Sequence, residues 1–168
     1  PGGKRCRAIL QSLAAPEFRL SGQAADAAGR RALRVEHKNL PVLHLRAYLY
    51  DPIARLLDGH DELHPSGREV EALLRSGQRA VAWTVALPAT PELQRQVTLV
   101  TPPLETPGSY VIIGSARADF APARNHLEAV HLQLSEVVLW ATGDSQGVHV
   151  TAVSGRTGEP LPEVMLER

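Results

Sequence analysis

Two histidines four positions apart come closest to a metal site in this sequence. Residues 60–64 read His-Asp-Glu-Leu-His, and on a helix such a pair can share one metal ion. Gly59 and Pro65 flank the segment and disfavour a helix there. In zinc proteases a Glu directly follows the first His, which His60 lacks. We therefore interpret His60 and His64 as part of a solvated polar loop and predict no metal-ligating residue.

Nucleophile and phosphate motifs are also missing. Cys6 is the only cysteine, no base can be assigned to it, and a lone cysteine near a terminus is most often a small buried hydrophobe. Ser135 does not lie in a Gly-x-Ser-x-Gly elbow. The glycine-rich residues 143–147 are not followed by a helical pattern, so they indicate a turn and not a phosphate loop. The sequence predicts no catalytic residue, no cofactor-binding residue, no cofactor and a protein that is not an enzyme.

Two tryptophans are the remaining candidates for ligand contact. Trp83 and Trp140 would offer stacking platforms for sugars if they were exposed. Both lie in strand-like runs, where large aromatic side chains usually pack against a core or a sheet edge. We expect packing for both.

Charge and composition exclude several classes of protein. Among 168 residues, 18 basic side chains balance 18 acidic ones, which argues against a nucleic-acid surface. No run of 18 apolar residues exists, so no membrane span is predicted. Aromatic residues make up 4% of the chain, so the core must be mainly aliphatic. The chain begins at Pro1, and we expect it to be a piece excised from a longer protein.

Alternating apolar and polar residues predict β-strands over most of the chain. The runs at 31–37 and 42–50 are so close that they suggest an antiparallel hairpin, or one strand with a bulge. The apolar phase of the alternation predicts a set of inward-facing side chains: Val35, Leu45, Trp83, Val85, Tyr110 and Ile112.

Helical spacing appears in two places. Residues 5–13 carry apolar residues at helical spacing and are closed by Pro16. Residues 51–77 break the β pattern, and Asp51 followed by Pro52 is a plausible helix start. We interpret 51–77 as one or two short helices inserted between strands.

These patterns predict an all-β fold, an antiparallel sandwich of about seven strands with a short helical insertion. We expect residues 1–15 to be a lead-in, residues 16–135 to form the sandwich, and residues 136–168 to supply the opening strands of a second sandwich.

Several motifs, in order, resemble the bacterial alpha-2-macroglobulin family. The chain has Trp-x-x-x-Leu-Pro at 83–88, Pro-Leu followed by Gly-x-Tyr and a hydrophobic run at 103–113, and Arg-Thr-Gly-x-Pro-Leu with a later Val at 156–164. Residues 36–48 and 134–138 are similar to further strands of that family. The resemblance covers most of residues 16–168.

The resemblance implies a macroglobulin/Ig-like sandwich from a string of such domains. In that family the array forms the body of a protease trap in the periplasm or at the cell surface. A bait region is cleaved and a thioester in a distant domain captures the protease. The thioester motif Cys-Gly-Glu-Gln is absent from this sequence, so Cys6 is not expected to be the reactive thiol. The implied partners are neighbouring macroglobulin-like domains and, through the parent protein, a target protease.

Three functional hypotheses follow. The first is a non-catalytic scaffold domain of a protease inhibitor of this family, periplasmic, cell-surface or secreted. The second is a ligand- or surface-binding sandwich of an adhesin-type protein, which an exposed aromatic cluster would favour. The third is an enzyme that uses the His60/His64 loop, and zinc titration tests it.

Overall fold

The computed structural model describes residues 2–22, 31–57, 64–90, 94–123, 125–145 and 147–165, and β-strands dominate it. The elements in chain order are α1 (Gly2–Ala14), β1 (Glu17–Ser21), β2 (Leu33–Lys38), β3 (Val42–Leu49), α2 (Pro52–Leu57), α3 (Gly67–Ser76), β4 (Val81–Ala86), β5 (Gln96–Val100), β6 (Gly108–Ser115), β7 (Leu127–Leu134), β8 (Val137–Asp144) and β9 (Gly147–Ser154).

Strands β1 to β7 form two antiparallel sheets packed face to face. One sheet has three strands in the order β1-β2-β5, and the other has four in the order β4-β3-β6-β7. Strands β8 and β9 form a separate two-stranded sheet. The predicted antiparallel sandwich is thus confirmed, with seven strands in the described part of residues 17–134.

The core between the two sheets is mainly aliphatic, as the composition predicts. Of the six side chains predicted to face inward, four are at most 3% exposed: Val35, Leu45, Tyr110 and Ile112. The other two, Trp83 and Val85, are partly buried against the same core. Strand β6 lies at the centre, because its residues from Ser109 to Ser115 are all buried.

The runs at 31–37 and 42–50 do not form a hairpin, so that interpretation is wrong. Strand β2 pairs with β1 and β5, whereas β3 pairs with β4 and β6 in the opposite sheet. The short link carries the chain from one sheet to the other. Asn39 has a φ of 54° there, a left-handed conformation that asparagine tolerates better than most residues. Its backbone N–H donates to Thr90 Oγ1 at 2.9 Å.

The predicted helical insertion is confirmed, and α3 covers part of the outer face of the four-stranded sheet. Ser66 accepts from the backbone of Glu69, the Glu69 side chain accepts in return, and Gly77 ends the helix at φ 68°. The helix contributes to a second core, which contains Tyr48, Val70, Val111, Ile113, Phe120 and Ala129, with Leu73 and Leu74 packed against it.

Leu49 alternates in phase with the buried Leu45, but it is the last residue of β3 and is 67% exposed. One local prediction is wrong. Residues 143–147 were expected to form a long turn. Instead β8 extends to Asp144 and β9 begins at Gly147, so only two residues connect the strands.

Two side chains of β1 pack against the backbone of β6 at Gly114. A Cβ atom at this position would lie 2.9 Å from Leu20 Cδ1 and 3.0 Å from Phe18 Cε2. Both side chains are buried in the inner core, so neither can move away freely. The position therefore requires glycine because of space, since its φ is not among the positive values of the chain.

We predict that Gly114→Ala lowers the free energy of unfolding by about 1–3 kcal/mol, the usual cost of overpacking a core. Gly143→Ala is the matched control, because a Cβ there would meet nothing within 4 Å. Urea unfolding of both variants measures the difference. Equal stability of the two variants would show that the sheets have room to separate at Gly114.

Candidate functional site

The His60/His64 segment and Cys6 were the two places in the sequence that called for a check against the structure. His60 lies outside the described residues, and His64 is exposed. Among the described residues no group of three His, Cys, Asp or Glu side chains has the geometry to hold a metal ion. Cys6 is exposed on α1, so the interpretation as a buried hydrophobe is wrong.

Helix α1 exposes the apolar residues that gave its helical pattern. Ile9, Leu10 and Leu13 are between 45% and 62% exposed. The helix is joined to the sandwich by a hydrogen bond from Asn39 Nδ2 to the Leu13 carbonyl oxygen, 3.0 Å long. No helix in the described parts of the chain combines the length and apolar character needed to cross a membrane.

The two tryptophans have different environments. Trp83 is partly buried against the inner core, and its Nε1 is buried without a hydrogen-bond partner. Trp140 lies on β8 and is 65% exposed, so the packing expected for it is not found. Tyr48 and Tyr110 are buried, so these aromatic residues do not join Trp140 in a surface cluster.

A charged groove of 710 Å³ runs along β1 and the outer face of β2. Glu17 is its centre: the carboxylate accepts from Arg95 at 2.9 Å and from Lys38 at 3.1 Å. Arg95 also reaches Glu36 at 3.7 Å. Hydrogen bonds from Arg95 and then Lys38 lower the pKa of Glu17. The basic groups here are matched by carboxylates, so the network mainly fixes the register of three neighbouring segments.

His37 lies under this network and is 1% exposed. Its Nε2 is 3.0 Å from Thr98 Oγ1 on the neighbouring strand β5, and its Nδ1 has no partner. Burial lowers the pKa of the imidazole, because an imidazolium would lose its hydration there. His37 is therefore held neutral and links β2 to β5.

A serine and a histidine meet on the outer face of the four-stranded sheet. Ser109 Oγ is 2.6 Å from His131 Nε2, and the His131 ring packs edge-on against Tyr50 at 5.8 Å between ring centroids. Burial lowers the pKa of His131, so a neutral imidazole accepts a hydrogen bond from the Ser109 hydroxyl or donates one to it.

This pair has part of what a nucleophilic site needs. Catalytic dyads and triads use a base that a further group orients. In the described parts of the chain no carboxylate bonds to His131, and Ser109 is 8% exposed. The arrangement satisfies two polar groups beneath an aromatic ring. The Ser109–His131 contact could not be read from the sequence, because it depends on the pairing of β6 with β7. That register places His131 opposite Val111, diagonally across from Ser109.

The β8–β9 ribbon exposes one mainly apolar face. Cross-strand pairing places six apolar side chains on that face, together with Gly143 and Ser154: Val137, Leu139, Ala141, Val148, Val150 and Ala152. Leu139 is 52% exposed and Val148 is 72% exposed. Beside β9, Leu161 N–H donates to the Ala152 carbonyl at 2.9 Å, and Val153 pairs with Pro160. The apolar face is thus open in the described structure.

Comparisons with known proteins identify the fold. No family model matches the sequence. No curated protein matches it. Two solved structures are similar in fold, and both are crystal structures of native alpha-2-macroglobulin from Escherichia coli.

The first of these spans domains MG0-NIE-MG1 and superposes with a TM-score of 0.58 at 15% identity, over 87% of this chain and 47% of that one. The second spans domains NIE-MG1, with a TM-score of 0.56 at 14% identity, over 88% of this chain and 74% of that one. The chain spans about half the length of the first structure. It has the fold of these alpha-2-macroglobulin fragments, so the predicted resemblance is confirmed at the level of fold.

Two histidines, the buried His37 and the half-buried His131, predict how stability changes with pH. The folded pKa of His37 and of His131 lies below the usual 6.5, so the unfolded chain binds protons first as pH falls. The two neutral histidines make their full contribution to the free energy of unfolding above pH 6.5. This contribution is lost as the pH falls from 6.5 toward the pKa values of the folded state. We expect a lower free energy of unfolding at about pH 5.5 than at about pH 7.5, measured by urea unfolding.

The variant His131→Gln should reduce this difference, because one of the two groups no longer titrates. His44→Gln is the control, since the hydrogen bond between His44 and Thr84 Oγ1 lies on the exposed surface. A difference of the same size in the chain and in His131→Gln would contradict a role for His131.

Proposed function

We propose that this chain is a non-catalytic structural segment of a bacterial alpha-2-macroglobulin-like protease inhibitor. The observation that carries the proposal is the superposition on two alpha-2-macroglobulin fragments over 87% and 88% of the chain. Residues 16–135 make up less than three quarters of the sequence, so the superposition extends beyond the sandwich. A shared sandwich alone would be weak support, because sandwiches have many functions.

The domain boundaries are part of the proposal: residues 1–15 are a lead-in, residues 16–135 are one macroglobulin-like sandwich, and residues 136–168 begin a second. The open apolar face of β8–β9 supports this division, because a two-stranded ribbon is marginally stable unless further strands cover its apolar face. The similar NIE-MG1 fragment contains two domains, and the chain covers 74% of it.

In this role the segment holds neighbouring domains in place and catalyses no reaction. Its polar clusters join neighbouring strands, as Glu17 does with Lys38 and Arg95. The parent protein acts in the periplasm or at the cell surface. The partners of the segment are neighbouring macroglobulin-like domains, and the target protease is reached only through the complete protein.

A second candidate is a surface-binding sandwich of an adhesin-type protein, and the exposed Trp140 is the observation that favours it. The expected signature is saturable binding to a glycan or cell surface that Trp140→Ala removes.

We predict that the complete gene product inhibits an added protease toward large protein substrates while small chromogenic peptides are still cleaved. A trapped protease keeps its active site and loses only access to large molecules. The isolated 168-residue chain should have neither effect. Zinc titration of the isolated chain is the accompanying control for the His60/His64 loop.

Two results would contradict the proposal. One is loss of small-peptide cleavage with the isolated chain, which indicates direct blocking of an active site. The other is hydrolysis by the chain itself, or stoichiometric zinc binding that His64→Ala abolishes.

A further inference from the structure

Strand β5 is an edge strand whose outer face is apolar and exposed. In the described structure it pairs with β2 on one side and with no strand on the other. Val97 is 50% exposed and Leu99 is 69% exposed, while Thr98 between them points inward to His37. An open edge of this kind presents unpaired backbone N–H and C=O groups beside apolar side chains, which is a template for another strand.

The other edges of the sandwich are charged or expose only small side chains, unlike β5. Strand β1 carries Glu17 and Arg19, and strand β7 carries Glu128. Strand β4 is uncharged, but its exposed side chains are the small residues Ala82, Thr84 and Ala86. The sequence of β5, Gln-Val-Thr-Leu-Val, has no charge and no proline. Charged side chains and proline are the usual devices that prevent edge pairing.

We propose that β5 pairs antiparallel with β5 of a second copy of this chain, about a two-fold axis at Thr98. This register pairs Val97 with Leu99 of the other copy, and Leu99 with Val97 of the other copy. Both pairs lie on the outer face, because Val97 and Leu99 face the same side of the sheet. The strand is therefore self-complementary, as a two-fold interface requires.

The register has a physical basis in charge and apolar area. A shift that centres the axis on Val97 would place Leu99 opposite Arg95 of the other copy, where an apolar side chain faces a guanidinium. Centring on Thr98 matches all five residues of β5 and brings no like charges together. The result is a continuous six-stranded sheet in which Val97 and Leu99, the most exposed aliphatic residues of the three-stranded sheet, gain an apolar cross-strand neighbour.

Sedimentation equilibrium of the whole 168-residue chain tests the pairing. We expect a monomer–dimer equilibrium, and we expect Leu99→Lys to raise the dissociation constant by about tenfold or more, since it disrupts both symmetric pairs. Leu49→Lys is the matched control: Leu49 is 67% exposed but lies on the central strand β3. The control should leave the dissociation constant unchanged.

Amide hydrogen exchange of the unaltered chain gives a second readout that does not depend on a variant folding. Exchange in Gln96–Val100 should slow as protein concentration rises, while exchange in β8 should not change. A monomer at all concentrations, or a dimer insensitive to Leu99→Lys, would overturn the proposal. So would a dimer lost in Leu139→Lys, because that result assigns association to the β8–β9 ribbon.

Discussion

The packing of two β1 side chains against Gly114 of β6 is the constraint on which the sandwich depends. A side chain at this position would meet Leu20 and Phe18, and both belong to the buried core between the sheets. The contact holds the three-stranded sheet against the central strand of the four-stranded sheet. Because aromatic residues are few, the core is assembled from aliphatic side chains that fill the space only when the sheets are this close.

Polar groups in this fold reinforce the same geometry. His37 links β2 to β5 through Thr98, and Ser109 bonds His131 across the β6–β7 pair. Glu17 joins Lys38 and Arg95 on the outside, where exposed ion pairs contribute little to stability individually. Two exposed surfaces are mainly apolar: the outer side of β5 and one face of the β8–β9 ribbon. We propose that a second copy of the chain pairs along the first surface and that strands of a second sandwich cover the other.

The sequence predicted those features of the fold that depend on the local pattern of apolar and polar residues. Alternation identified the strands and four fully inward residues such as Ile112, and the Asp51-Pro52 start marked the helical insertion. Pairing partners depend on distant segments, so β2 and β3 were wrongly joined in a hairpin although they lie in different sheets. The Ser109–His131 contact was missed for the same reason. Trp140 is a related case. Its strand was predicted correctly, but the packing expected for its side chain was not found, because exposure on β8 depends on whether another sheet covers that strand.

The central claim is that residues 16–135 are a complete folding unit and that β8 and β9 belong to a different one. Truncation after Ser135 tests it most directly, with urea unfolding followed by the fluorescence of Trp83 and by circular dichroism. The comparison protein is the full chain with Trp140→Phe, so that both proteins report from the same fluorophore. We expect the truncated chain to unfold in one cooperative transition, at the same midpoint as the comparison protein with both probes. A truncated chain that unfolds without cooperativity would contradict it, and β8 and β9 would then be part of the first sandwich.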